Sequence, residues 1–227
     1  MERCLLSIYI FRGSEERLSA YLPNGYQLAS EGAAFSFWVY SCGDVVIDEI
    51  PAGPAMVSLV GIHVADPKGA ASGMTLGLAG AQLYVPWVHS DNAALVAVLK
   101  SAGMPVRLVK GITHERLGPL SVSASVPWKH SPYQLSQPND VFQDAPHGHD
   151  NSFWHKGRLG TTELQIEVTF PNFARDSACY GTLVECARVS ARRGSAIGKL
   201  VGGESAVGDG VNHDEILRIE ATLRRSP

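Results

Sequence analysis

The sequence predicts a mainly β domain, β-rich α+β, occupying residues 1–227 as one unit. Three observations carry that prediction. Short aromatic and β-branched runs recur along the chain between Gly, Pro, Asn and Asp clusters, the pattern that strands and their turns leave in a sequence. Clear helical punctuation marks one internal stretch, Asp91 to Ala102, and one short segment after Ser14. No Pro/Ser-rich linker divides the 227 residues, a length that one large β domain commonly fills. Many short strands with few helices favour a barrel or two packed sheets, because closure removes exposed strand edges.

Residues 3–11 and 34–40 are the first two expected strands, ending at Gly13 and at Cys42-Gly43. Between them, Ser14 caps a short helix with Glu15 and Glu16 in its first turn, stopped by Pro23 and Gly25. Further strands are expected at 44–49, 56–65, 80–88, 105–112, 119–127, 163–170 and 181–189. The helix from Asp91 to Ala102 takes Ser90 or Asp91 as its cap, is apolar at Leu95, Val96, Val98 and Leu99, and ends at Gly103 and Pro105. Two stretches fit neither period: Ser131 to Asn151, rich in Pro, Gln, Asp and His, and the Gly-rich Gly202 to Gly210. Long unstructured segments in a compact domain are often lids, so 131–151 is expected to cover a pocket mouth.

A net charge of −3 supplies no electrostatic footprint for nucleic acid or an anionic membrane. The four cysteines, Cys4, Cys42, Cys179 and Cys186, are too few and too dispersed for a disulfide framework, which points to a reducing cytoplasm. The apolar run after Glu2-Arg3 is short and lacks a small-residue cleavage site, so it reads as a strand and not as a signal peptide. No window approaches the length of a membrane-spanning helix.

His63 lies in the apolar run Val60-Gly61-Ile62-His63-Val64 and is either a core histidine or a pocket group. Trp38, Tyr84, Trp87, Trp128 and Trp154 fall on expected strands or their ends, where they pack a core or line an apolar ligand site. His147, His149, Asp150 and His155 cluster within nine residues, but their spacing fits no strong metal signature, and no metal or other cofactor is expected. The segment Val201-Gly202-Gly203-Glu204-Ser205 lacks the Gly-Lys-Ser/Thr ending of a phosphate loop, and no Gly-x-Ser-x-Gly elbow is present.

One stretch carries a resemblance. Asp91-Asn92-Ala93-Ala94-Leu95, then Ser101-Ala102-Gly103-Met104-Pro105 and Pro105-Val106-Arg107-Leu108, resembles the Asp-Asn, small-residue helix and Pro-Lys-Lys-Leu core of acetoacetate decarboxylases. Phe11-Arg12 with Leu18, Pro23 and Leu28 resembles the family's opening, Trp128-Lys129-His130 its aromatic-Lys-His, and Trp154 with Leu164-Gln165-Ile166 a later segment. Together these cover roughly residues 3–170, in the family's order.

The resemblance implies a closed β-barrel with a flanking sheet, an interior pocket and a homo-oligomer. It also implies a lost reaction. In that family the first lysine forms an imine with the substrate ketone, and here Val106 stands in its place. Arg107 keeps the neighbouring cation and can hold a carboxylate or enolate oxygen. Ile47-Asp48-Glu49 resembles the family's Tyr-x-Glu, which makes Glu49 the acid–base candidate, since burial in an apolar barrel disfavours its charged form. If 106–110 is extended, Val106, Leu108 and Lys110 share a face, so Lys110 is either a displaced nucleophile or a solvated strand-end lysine. His63, Trp87, Trp128, His130 and Trp154 complete the expected substrate-binding set.

The expected function is acid–base chemistry on a hydrophobic, polyketide-like carbonyl compound: enolisation, cyclisation, dehydration or isomerisation. The alternatives are a Schiff-base lyase using Lys110 and a non-catalytic barrel that binds a small ligand.

Overall fold

The computed structural model describes residues 4–30, 32–47, 50–65, 81–118, 121–137, 141–144, 148–157, 160–169, 175–179, 187–216 and 218–226. Strand β1 (Cys4–Arg12) and helix α1 (Glu15–Ser19) lead into two long strands, β2 (Ala34–Ile47) and β3 (Ile50–His63). Next come β4 (Gln82–Ser90), helix α2 (Ala93–Ser101) and the short β5 (Val106–Leu108). Four strands follow: β6 (Thr113–Gly118), β7 (Ser121–Val126), β8 (Tyr133–Gln137) and β9 (Val141–Asp144). Then β10 (Gly148–Gly157), β11 (Gly160–Thr169) and β12 (Arg175–Cys179) precede β13 (Ala187–Ala191). Helix α3 (Ala196–Val201), β14 (Ser205–Ile216) and β15 (Arg218–Ser226) end the described chain.

The strands form one mixed sheet whose main path runs β15-β11-β10-β4-β3-β2-β1-β14-β13-β8-β7-β6. A parallel pairing of β15 with β2, Glu220 opposite Val46 and Ala221 opposite Ile47, curls one end of this path back onto its middle. At the other end β6 pairs only with β7 among the described residues. The β-rich class holds, but hydrogen bonding does not close the whole sheet into the single barrel that the resemblance implied.

The central strands are buried on both faces, which is why they read as unbroken apolar runs. Leu6, Ile8, Ile10, Trp38, Tyr40, Val57 and Leu59 point to a first core, shared with Leu95 and Leu99 of α2 and with Phe153, Leu164 and Ile166. Alternate positions, among them Tyr9, Phe11, Phe35, Phe37, Val39, Val60 and Ile62, point to a second core with Val126, Trp128, Tyr133, Leu135 and Val189. Period-two alternation thus sends successive buried side chains of β1, β2 and β3 to one core and then the other.

Ser14 caps α1 as predicted, accepting from Arg17 N. The cap of α2 is Asn92, whose side chain accepts from Leu95 N at 2.9 Å, and not Ser90 or Asp91. Those two neighbours have other duties: Ser90 Oγ accepts from Asn92 N, and Asp91 Oδ1 accepts from Met56 N at 2.8 Å. Three consecutive cap-type residues left the choice to tertiary contacts.

Other expectations are corrected. The expected strand 105–112 ends at Leu108, and the chain turns through Lys110 and Gly111, whose φ of 76° glycine tolerates. Segment 131–151, expected to be a lid, contains β8, β9 and the start of β10. There Tyr133 and Leu135 are buried while Gln134 faces solvent, so polar outward residues disguised a strand. Predicted strand 181–189 is described only from Ala187.

The Gly-rich 202–210 is the C-cap of α3, with Gly202 at φ 85°, followed by β14. Gly208 and Gly210 are strand glycines where neighbours press close, the usual reason for glycine in a strand. A Cβ on Gly208 would strike the carbonyl oxygen of Ile10, and one on Gly210 the side-chain amide of Gln137. Gly208→Ala should therefore lower stability by about 1–3 kcal/mol, read as a fall in the urea midpoint. An unchanged midpoint would show that β1 yields without cost.

Cys4 and Cys42 sit one position beyond the facing pair Leu5 and Ser41 and form a disulfide, Cα to Cα 4.3 Å. The sequence reading missed the pair because 38 positions separate them and only the antiparallel register of β1 and β2 brings them together. The bond also removes the argument from cysteine usage to a reducing compartment. No helix among the described residues is long and apolar enough to cross a membrane.

Candidate functional site

Sheet register carries one row of residues across five strands. Ser7 on β1 faces Val39 on β2, Val39 faces Ser58 on β3, Ser58 faces His89 on β4, and His89 lies beside Arg107 on β5. Strands pack about 4.8 Å apart, so the row extends over roughly 19 Å. Register partners share a face, and this face is that of the second core. Four of the five positions are polar, which makes the row a seam through aromatic and aliphatic surroundings.

Side chains from β6, from β8 and from the segment after β7 meet this seam. The Tyr133 hydroxyl lies 2.8 Å from Ser58 Oγ and 3.2 Å from His89 Nδ1. His114 Nε2 lies 2.8 Å from Ser7 Oγ. The ring of Trp128, just after β7, packs 4.8 Å from that of His89 and 6.4 Å from that of Trp87, and the Arg107 guanidinium stands 5.3 Å over Trp128. Tyr21 meets Trp87 edge-on at 5.6 Å. The seam therefore runs from an exposed cation, Arg107, past Trp128 to the fully buried His89 and Ser58.

Burial decides the protonation state of this cluster. Desolvation, with a smaller contribution from the Arg107 cation, lowers the His89 pKa to about 3. Burial also raises the Tyr133 phenol above its ordinary value, with the Ser58 hydrogen bond acting the other way. At neutral pH His89 is thus a neutral imidazole, with Nδ1 engaged by Tyr133 and Nε2 buried without a partner. If the Tyr133 O–H donates to Nδ1, Nε2–H becomes a donor suited to a carbonyl oxygen. If Nδ1–H donates to Tyr133, Nε2 becomes a hydrogen-bond acceptor and, with so low a pKa, only a weak base.

Of the residues the sequence proposed, the structure brings Arg107, Trp87 and Trp128 together. Val106, in the nucleophile's position, faces the other way and is buried in the first core beside Val88. Lys110 does not share a strand face with Val106 and Leu108. It lies exposed in the turn after β5, and its Nζ donates to the Asp91 carbonyl at 3.0 Å. His63 is buried on β3 opposite Leu83 of the first core, outside the seam, its Nε2 unpartnered. His130 is exposed in the turn after Trp128, and its carbonyl accepts from Arg192. The Trp154 indole donates to Gln82 Oε1 at 2.7 Å, beside Tyr84 on β4 and away from the seam.

Glu49 lies outside the described residues, as does His147. His155 Nδ1–H donates to the Val85 carbonyl at 2.9 Å, and its ring stacks on Tyr84. Among the described residues no group of three or more His, Cys, Asp and Glu is placed to hold a metal. All the described lysines, Lys100, Lys110, Lys129, Lys156 and Lys199, are exposed.

Sequence reasoning missed His89, Ser58, Tyr133 and His114. His89 had a usable signal, since it shares strand parity with Trp87 in the buried run before Ser90. Tyr133 had none, because it falls in the segment expected to be a loop.

No protein-family profile and no curated protein matches the sequence. Solved structures do match over nearly the whole chain. An acetoacetate decarboxylase-like enzyme from Sphingomonas wittichii RW1 superposes with a TM-score of 0.55 at 13% identity, covering 100% of this chain and 92% of that one. The enduracididine biosynthesis enzyme MppR, complexed with pyruvate, gives 0.55 at 13% identity over 97% and 88% of the two chains. An acetoacetate decarboxylase gives 0.54 at 14% identity over 97% and 86%. The chain has the acetoacetate decarboxylase-like fold.

Proposed function

We propose that this chain is an enzyme of lyase or isomerase type that moves a proton next to a carbonyl group without forming an imine. The observation that carries this reading is His89, a buried neutral imidazole held by Tyr133 with its second nitrogen unpartnered. Imine chemistry needs a desolvated, partly neutral amine, and every described lysine is exposed. The chemistry left is enolisation: His89 polarises the carbonyl or removes the α-proton, and Arg107 stabilises the oxygen as charge develops.

Trp87 and Trp128 favour a hydrophobic substrate, polyketide-like in its carbonyl chemistry, with any acidic end at the exposed Arg107. Cyclisation, dehydration and isomerisation all begin from the same enolate. Glu49 remains the acid–base partner proposed from the sequence. In this reading the enzyme needs no cofactor and acts as a homo-oligomer.

Borohydride reduction tests the reading. Incubation with a small β-keto acid followed by reduction should leave no mass adduct on any lysine, and acetoacetate should not lose carbon dioxide measurably faster than in buffer. A stoichiometric adduct would overturn the imine-free reading, and one on Lys110 would restore the displaced nucleophile.

A further inference from the structure

On the outer face of strands β7, β8, β13 and β14 lies a groove of about 690 Å³, within the size range of small-molecule sites. Its floor is a second polar row set by register. Ser125 on β7 faces Gln134 on β8, Gln134 faces Ser190 on β13, and Ser190 faces Ser205 at the start of β14. All four line the groove, and the row spans roughly 14 Å. Arg188 and Arg192 stand two positions either side of Ser190, each roughly 7 Å along the chain. Together with Glu204 they are exposed and line the same groove. Tyr133 and Leu135, which alternate with Gln134 along β8, belong to the second core. The groove is therefore on the opposite face of β8 from the seam, and its ligand is independent of whether the seam is catalytic.

We propose that this groove binds an acidic sugar, a polyhydroxylated ring compound carrying one carboxylate. Each part of that description has a cause. Serine hydroxyls and a glutamine amide both donate and accept, as sugar hydroxyls do, so the row matches a polyol and not an apolar ligand. A guanidinium presents paired N–H donors whose fork fits a carboxylate. Arg192 spends Nη2 on the His130 carbonyl at 2.8 Å and carries further donors. Glu204 only accepts, so it selects a ligand that brings hydroxyl donors. Set against the two arginines, it leaves the groove one excess positive charge, which a single carboxylate neutralises. Pro127 and Pro132 line one edge and offer apolar surface to the C–H face of a ring. The turn between these prolines is fixed by the Arg192 bond and by Ser131 Oγ, which accepts from Ile197 N at 2.8 Å. A site held in this way loses little freedom on binding.

Glucuronate, glucose and acetate are the probes, because glucose has the ring without the charge and acetate the charge without the ring. In ¹⁵N-labelled protein, glucuronate should produce saturable amide shifts at Gln134, Ser190 and Ser205, with an affinity roughly tenfold or more above that of glucose or acetate. At least one of Arg188→Gln and Arg192→Gln, the one that removes the carboxylate's partner, should weaken glucuronate roughly tenfold and leave the weak glucose titration unchanged. Ser190→Val suits a strand position and keeps both arginines, so it serves if an arginine variant fails to fold, and it should weaken glucuronate and glucose alike. Glucose or acetate binding as tightly as glucuronate would overturn the proposal, as would glucuronate shifts that never saturate or that persist unchanged in both arginine variants. A polyglutamate peptide that saturates the same amides where glucuronate does not would also overturn it, and would assign the groove to an acidic peptide.

Discussion

Lowering the pH from 7 to 5.5 should cost this fold about 4 kcal/mol, a large part of the 5–15 kcal/mol that stabilises a typical domain. Three buried histidines cause the loss. Burial lowers the pKa of His63 to about 4 and those of His89 and His114 to about 3, with Arg12, Arg107 and Arg116 adding to the respective shifts. In the unfolded chain each returns to its model value of 6.5. Below that value the unfolded state takes up protons that the native state refuses. Their stability is therefore intact above the unfolded pKa and drains away as the pH falls toward the folded values.

The cause is visible in the structure. A protonated ring carries N–H on both nitrogens, and His63 Nε2, His89 Nε2 and His114 Nδ1 have no hydrogen-bond partner among the described residues. Urea midpoints measured between pH 7 and 5.5 should fall steadily, and His63→Gln should remove about a third of the slope. A flat profile would show that these rings gain partners in solution.

His89→Gln should lower kcat/KM on the native substrate by roughly 10²–10⁴-fold. Glutamine keeps polar hydrogen bonding but cannot exchange a proton between two ring positions. Because His89 is proposed to act on the reacting atoms, and Arg107 to hold both the developing oxygen and any acidic end, the two variants should differ in kind. His89→Gln should act mainly through kcat, whereas Arg107→Met should also raise KM for an anionic substrate. Tyr133→Phe should produce a smaller loss, with a changed ¹⁵N shift at His89 Nδ1, because it removes the group that fixes the imidazole and leaves the imidazole in place. Full turnover in His89→Gln would reduce the seam to a packing feature.

The fold was legible where side-chain period and burial agreed. Phe11-Arg12, the capped α1, the first part of β2 and the apolar β4 declare themselves, because these strands are buried on both faces, whereas the break expected at Cys42-Gly43 lies inside β2, which runs on to Ile47. Legibility failed where a strand turned one polar face outward, as Tyr133-Gln134-Leu135 does, or where glycine served close packing, as at Gly208. The site was half legible. Arg107, Trp87 and Trp128 came from motif position and residue type, but the pairing of Ser58 with His89 depends on the β3–β4 register, and the meeting of both with Tyr133 on β8 packing across the second core, which no local pattern encodes. Lys110 lies as the solvated strand-end lysine that the sequence also allowed: the chain turns at Gly111, and the turn hands the amine to the Asp91 carbonyl.

Deuterium incorporation in D₂O tests the central claim most directly. The wild-type protein, given hydrophobic 3-oxo acids, should catalyse exchange of the α-protons, observed by proton NMR, without trapping of substrate on lysine under borohydride. The account predicts that this exchange is fast with the wild type and lost with His89→Gln while the variant keeps its fold. Exchange that persists undiminished in His89→Gln, or that requires a lysine adduct, would contradict it.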